Sequence, residues 1–465
     1  MKKKFGATHV LILIGLLTII LVPRPIAGAL DLKRADRFDA AGDEAIAADA
    51  YASAAERIPW MPWLWEKAGM KAMQGGDEEK AIVFFNKAVE HNSISAVGWL
   101  TLGSAYQKHG DLSLAFKAWE LALPLAQADS YLASAERARG NFAKAIDYWR
   151  ANIALEPENS AAHYSLGLLL AATAPEQALP ELIKAVTISS DLDQPVQSLR
   201  TALNTAFLSD DRAYQFLVSG RALGALGEWD LAAEAFRNAT IDRSNYAEAW
   251  AWLGEAKQQL GQDGSFEIEQ ALTFHPESAM VQGLYGMFLQ RQGEPDAALA
   301  AFHKAADLEP DNPGWQMALG SGSEQTGDLV AAYGYYSHAV ELAPGDASTW
   351  RALVTFCVTN DVDVELTGLP AARKLVGMAA NDWQSFDLAG QAEFLLENYP
   401  AAVVYFKKAV QMSPIQAAPA LHLGLVYLQT GERESAYSYL NLARTFDPDG
   451  LLGWQAGRLL EQYFP

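Results

Sequence analysis

The sequence predicts an all-α solenoid of helix–turn–helix repeats, and three observations support it. A block of small and aromatic residues recurs every 34 residues: Gly286, Ala298, Phe302, Ala305 and Pro310 return as Gly320, Ala332, Tyr336, Ala339 and Pro344. The set appears again at Gly390, Ala402, Phe406, Ala409 and Pro414, and at Gly424, Ala436, Leu440, Ala443 and Pro448. Glycines punctuate the period at a fixed place, and the residues on either side keep helical spacing. Self-similarity at such a period marks stacked units, each packing on its neighbours without one central core.

The chain begins with Lys2, Lys3 and Lys4, followed by an apolar run of 18 residues from Phe5 to Val22. As a helix this run spans about 27 Å, close to the roughly 30 Å hydrocarbon core. Residues 1–27 are therefore expected to form a signal anchor or transmembrane helix. Lysines ahead of the run hold that end inside. The expected location is the cell membrane, single-pass, with the repeats extracytoplasmic. Ala27-Gly28-Ala29 offers an Ala-x-Ala cleavage site, so secretion after a cut near Ala29 is the alternative.

Twelve units follow, starting near residues 28, 62, 96, 126, 160, 213, 247, 279, 313, 347, 383 and 417, with one further helix from Leu451 to Pro465. In each first helix apolar residues line one face, as Trp99, Leu102, Gly103 and Tyr106 do. A turn glycine follows: Gly42, Gly76, Gly110, Gly140, Gly227, Gly261, Gly293, Gly327 or Gly431. Glycine permits the left-handed conformation that ends a helix, and the Asp or Asn often found after it caps the next. The second helix carries Ala, an aromatic residue and Ala at spacings of four and three, as in Ala115, Trp119, Ala122 and in Ala232, Phe236, Ala239. Many units end in Pro, which stops the helix. Gly103, Gly254, Gly320 and Gly424 are expected as close-contact points, with Trp119, Trp149, Phe302 and Phe406 as fillers.

The spacing of a bulky residue, Leu-Gly and Tyr, then Ala, aromatic, Ala and Pro, resembles the tetratricopeptide repeat family. The likeness is clearest over 62–123 and 213–450. It implies a right-handed superhelical solenoid whose first helices line a concave groove. Residues 193–212 hold a lone helical stretch without register, either a hinge or a worn repeat. The expected organisation is an array over 28–192, an irregular seam over 193–212, and a second array with a capping helix over 213–465.

Net charge is −21, and beyond residue 29 the balance is 31 basic against 56 acidic residues. So acidic an array repels phosphate backbones, and no nucleic-acid partner is expected. The single cysteine, Cys357, cannot form an intramolecular disulfide and reads as a buried, inert thiol. No catalytic or phosphate-cradling motif is present, so no catalytic residue, cofactor or metal site is expected, and the chain reads as non-enzymatic. His163 occupies a core position, while His303 and His338 lie in second helices as packing or surface residues. Asp361, Asp363 and Glu365 read as a solvated loop, since their spacing does not fit a calcium loop.

The resemblance implies that positions two, five, nine and twelve of each first helix face the groove. These are Trp63, Glu66, Met70 and Met73 in the unit at 62, and Tyr214, Leu217 and Arg221 in the unit at 213. The units at 279 and 313 contribute Met280, Met287, Gln290, Met317 and Glu324. The Lys and Asn with which family members clamp a terminal carboxylate are missing. Methionine suits adaptable apolar contact. Trp65 is explained by its unit's core, whereas Trp60 and Trp63 are surplus to the pattern and read as a cap, a binding patch or a membrane-interface pair. The expected function is a membrane-anchored scaffold that binds a protein or peptide. The alternative is an exported glycan-binding or envelope-enzyme accessory protein. A Met- and Leu-lined trough favours peptide; an aromatic pair flanked by carboxylates favours sugar.

Overall fold

A computed structural model describes residues 23–464, so the run Phe5–Val22 lies outside the described residues. Among the described residues there are 26 α-helices and no strand. Contacts divide the chain into two compact units, Met1–Ser244 and Asn245–Pro465.

The first unit holds six helical hairpins. They are α1 Pro23–Ala41 with α2 Glu44–Arg57, α3 Trp63–Gln74 with α4 Glu78–Glu90, and α5 Ala96–His109 with α6 Leu112–Ala122. Next come α7 Ala126–Ala138 with α8 Phe142–Leu155, and α9 Ser160–Thr173 with α10 Ala178–Ile188. A single helix, α11 Asp193–Ala206, precedes the hairpin of α12 Arg212–Ala225 and α13 Trp229–Asp242. The unregistered stretch thus lies inside the first unit. The hairpin α12–α13 packs directly on α9 beside it.

The second unit holds six more hairpins. They are α14 Ala247–Gln259 with α15 Ser265–Phe274, α16 Ala279–Arg291 with α17 Pro295–Leu308, and α18 Pro313–Thr326 with α19 Leu329–Leu342. They continue as α20 Ala347–Asn360 with α21 Leu369–Met378, α22 Trp383–Leu395 with α23 Tyr399–Met412, and α24 Ala417–Thr430 with α25 Arg433–Phe446, closed by α26 Leu451–Tyr463. The twelve hairpins match the twelve sequence units. Each first helix packs on its own second helix, and second helices pack on the next first helix, as in α17 on α18 and α23 on α24.

Local chemistry explains the hairpins. All nine turn glycines have positive φ, between 70° and 95°. In two turns that lack glycine the same conformation is kept: Asp361 and Glu397 adopt φ of 53° and 58°. The glycine–filler contacts form as the period predicts. A Cβ on Gly103 would lie 2.3 Å from Trp119, one on Gly320 2.8 Å from Tyr336, and one on Gly424 2.8 Å from Leu440. Phe302 and Phe406 meet Gly286 and Gly390 in the same way. Gly254 instead meets Ile268. Asp caps are mixed: Asp77 and Asp328 accept from the backbone N–H three residues on, while Asp43 and Asp111 make no such bond.

The expected single-pass placement with extracytoplasmic repeats, and its secreted alternative, are overturned. No described helix is long and apolar enough to cross a membrane. The helix α1 carries Asp31, Lys33, Arg34, Asp36, Arg37 and Asp39, and these charges serve the first hairpin: the Tyr51 hydroxyl donates to Asp36 at 2.7 Å and Asp39 at 3.1 Å. Ala27–Ala29, the expected cleavage point, lies within α1. There Gly28 sits so close to Ile58 that a Cβ would approach it to 2.4 Å.

Candidate partner-binding groove

The groove residues read from the sequence separate into different environments. In the first unit Trp63 is half exposed, as Trp60 is, while Trp65 is buried. Glu66 accepts from the backbone N–H of Ser95 at 2.7 Å and from its hydroxyl at 2.5 Å, which ties it to the start of α5. Met70 and Met73 pack on the core around Phe85 and Leu102. Tyr214 is half-buried and Arg221 is exposed. In the second unit Gln290 donates to Ser321 at 3.4 Å, and Met317 packs on the cluster holding Tyr336 and Leu353.

Met280 and Met287 are brought together. With Trp252, Leu284, Phe302 and Trp315 they surround a cavity of about 300 Å³ on the first helices α14, α16 and α18. Two glycines of α16 shape it. Gly286 admits Phe302 from below, and Gly283 admits Trp315, whose ring a Cβ there would meet at 2.1 Å. Two polar side chains at its rim, Trp315 and Asn312, are already engaged. The Trp315 indole N–H donates to Glu309 at 2.8 Å, the Asn312 amide donates to the same carboxylate at 2.8 Å, and the Asn312 carbonyl accepts from the Gly314 N–H at 2.9 Å. What faces the cavity is therefore rings, thioethers and a leucine, a surface suited to varied apolar side chains. The surrounding unit is strongly acidic. Residues 245–465 contain 11 basic and 27 acidic residues, a net charge of −16. Several of those cations are paired internally, as in Lys257–Glu267 at 2.6 Å and Arg291–Glu255 at 2.5 Å.

A second cavity, about 190 Å³, lies on α20, α22 and α24 and was not singled out from the sequence. Val358, Phe394, Leu395, Phe406 and Leu425 supply its apolar walls, and Gln391 and His422 its polar ones. Asp387, buried at 5% exposure, accepts from His422 Nδ1 at 2.9 Å and from the Gln391 amide at 2.8 Å. The signal for it was present. Asp387, Gln391 and Phe394 are positions five, nine and twelve of the unit at 383, the register that gave the methionines.

The remaining candidates are structural. In the first unit a cavity of about 310 Å³ is bordered by Arg137 and Asp230, but these two groups satisfy each other. His163 is buried, bonded to Glu181 at 2.6 Å and to the Pro157 carbonyl at 3.0 Å. Cys357 is fully buried, and burial followed by the charge of Asp363 raises its thiol to about 11. In the loop below it Asp363 accepts from Thr367 at 2.5 Å and from Tyr333 at 3.3 Å. Among the described residues no group of three or more His, Cys, Asp or Glu side chains could hold a metal ion.

Comparison with known proteins agrees on the repeat. The tetratricopeptide repeat profile matches residues 132–190, 217–262 and 288–347. The chain is 26% identical over 255 residues to the BBSome complex member BBS4 of Bos taurus, covering 54% of this chain and 48% of the relative. It is 22% identical over 253 residues to the BBSome complex member bbs-4 of Caenorhabditis elegans, covering 52% and 54%. The matched segment thus spans about half the length of each of these relatives. Among solved structures, a crystal structure of the APC/C hetero-tetramer Cut9-Hcn1 aligns over 93% of this chain and 95% of its own, at 16% identity and a TM-score of 0.48. The yeast Tom70 crystal structure aligns over 94% and 95%, at 13% identity and a TM-score of 0.43. The profile matches, the glycine–filler contacts and the in-phase hairpins identify an all-α chain built from tetratricopeptide-type repeats.

Proposed function

We propose that this chain is a protein–protein interaction scaffold whose second unit docks a short partner segment with apolar anchors and basic flanks. The observation that carries the reading is the cavity around Met280, Met287, Trp252 and Trp315, apolar inside and with the Trp315, Asn312 and Glu309 groups at its rim engaged. A sugar would bury hydroxyls that need partners there, each left unmade at a cost of about 1–3 kcal/mol. An apolar side chain needs none. This favours peptide over glycan. The net charge of −16 on residues 245–465 adds long-range attraction for a cationic segment and repulsion of an acidic one.

The test uses the full chain and labelled peptides of about twelve residues, extended or helical, in which Leu and Phe alternate with Lys, Gln or Glu. The Lys peptide is expected to bind, measured by fluorescence anisotropy, with the Glu peptide about tenfold weaker or worse at low salt. Met287→Lys should weaken the Lys peptide by about tenfold or more, since it places a charge in the apolar trough. Unchanged binding by Met287→Lys, or equal binding of the Glu peptide, would overturn the reading.

A further inference from the structure

The second cavity differs in kind from the first. Its walls are apolar, but one end carries a chain of polar groups fixed by a buried carboxylate: Gln391 and His422 both donate to Asp387. In the neutral form of this imidazole the proton sits on Nδ1, facing the carboxylate, and Nε2 is an acceptor. Nε2 has no partner among the described residues, and His422 lies on the cavity wall. The imidazole also packs on Phe406, with ring centroids 5.4 Å apart and planes at 40°. At about 190 Å³ the space is smaller than the roughly 300–1,000 Å³ of sites that enclose a drug-sized ligand, so it suits a single side chain.

We propose that this cavity is an anchor subsite for an aromatic side chain bearing a neutral hydrogen-bond donor, the indole of Trp or the phenol of Tyr. The ring fills the space between Phe394, Phe406 and Leu425, and its N–H or O–H donates to His422 Nε2. A ring of this type normally finds such a partner when buried. Phe would leave the acceptor unmet. A Lys ammonium would be stripped of water against Val358, Phe394 and Leu425, while the nearby carboxylate already accepts from two donors. Asp387 acts as a positioning residue, fixing the tautomer, and His422 as the specificity residue.

The proposal builds on the reading that the second unit docks a peptide, but ring probes test it apart from any peptide. N-acetyl-tryptophanamide, its N1-methyl analogue and N-acetyl-phenylalaninamide are titrated into the full chain and followed by NMR. The tryptophan probe is expected to bind about tenfold more tightly than the N1-methyl analogue. In His422→Phe, which keeps a ring on Phe406, that preference should fall below about twofold. Should the variant not fold, the wild-type chain with ¹⁵N-labelled histidine answers instead: Nε2 of His422 should read as unprotonated and shift on saturation with the tryptophan probe. Equal affinity for the N1-methyl analogue, a preference kept in His422→Phe, or an unmoved Nε2 resonance would each overturn the assignment. Ring selectivity in the absence of any peptide binding would leave the subsite standing and remove the docking reading alone.

Discussion

Inside nine of the twelve hairpins a glycine meets a large side chain; where α12–α13 packs on α9, a seam within the first unit, polar side chains meet helix-end carbonyls and opposite charges. A Cβ on Gly286 or Gly220 would lie 2.5 Å from Phe302 or Phe236. Between α9 and the hairpin α12–α13 the links are of another sort. The Ser219 hydroxyl donates to the Ala171 carbonyl at 2.5 Å and the Asn238 amide to the Ala172 carbonyl at 3.1 Å. Arg137 on α7 reaches Asp230 on α13, at 2.7 and 2.6 Å, and Glu228 just before that helix.

The cause lies in how α9 ends. The last four carbonyls of a helix lack intrahelical partners, and a left-handed glycine cap normally satisfies some of them. At α12, for example, Gly227 and Glu228 donate back to Gly224 and Leu223. No turn glycine follows α9, which ends at Thr173 before Ala174 and Pro175. Ser219 and Asn238 supply the missing donors from the next hairpin. A steric fit depends on shape alone, whereas these bonds depend on direction and charge, so pH should distinguish the two regions.

The largest expected effect is in the registered region. Phe302 is 1% exposed, and Phe302→Ala should destabilise the second unit by about 3–5 kcal/mol in urea unfolding, with little change between pH 4 and 7. Since Phe302 also floors the cavity at Met287, the Lys peptide should bind more weakly in the same variant. A loss well under 1 kcal/mol would mean that the glycine–filler contacts do not hold the hairpins.

Next comes the seam's ion pair. Arg137→Ala leaves two half-buried carboxylates without their cation. The expected cost is about 2–3 kcal/mol, between that of exposed and buried pairs. Its pH signature follows from Asp230. Burial pushes that carboxyl up, but the hydrogen bond and charge of Arg137 outweigh it and hold it below the ordinary 3.8. A depressed carboxyl stabilises the fold fully above its unfolded value and loses that contribution as pH falls through the lower folded one. The wild-type first unit should therefore weaken below about pH 4, and Arg137→Ala should flatten that decline. An undiminished acid decline in the variant would place the sensitivity elsewhere.

The same contrast explains what the sequence disclosed. The hairpins were legible because Gly, Ala and ring residues repeat in phase, and packing of that kind leaves a periodic trace. Met280 and Met287 were legible for the same reason, since they hold recurrent positions of a first helix. The aromatic walls from Trp252 and Trp315 were not, because they depend on which glycine lies opposite: Gly283 has no ring partner in its own hairpin. The register marks Asp387, but its pairing with His422 was not legible, because the two come from different repeats, 35 residues apart. Arg137 and Asp230 are 93 residues apart, a separation that no repeat period encodes.

The smallest effect tests the helix-end argument itself. Ser219 is fully buried, and Ser219→Ala removes one hydroxyl while leaving the Ala171 carbonyl without that donor. The expected loss is about 1–2 kcal/mol, near the cost of one unsatisfied buried group. The loss should be local first. Hydrogen exchange should quicken in the last turn of α9, Leu170–Thr173, and in the adjoining turn of α12, before the registered hairpins α3–α4 and α5–α6 respond. Asn238→Ala should act at the same place and more weakly, because its amide is only part-buried. The two substitutions touch neighbouring carbonyls of one helix end, so their combined effect should depart from the sum of the single ones. Simple additivity, with exchange unchanged in α9, would mean that this end is satisfied without the seam.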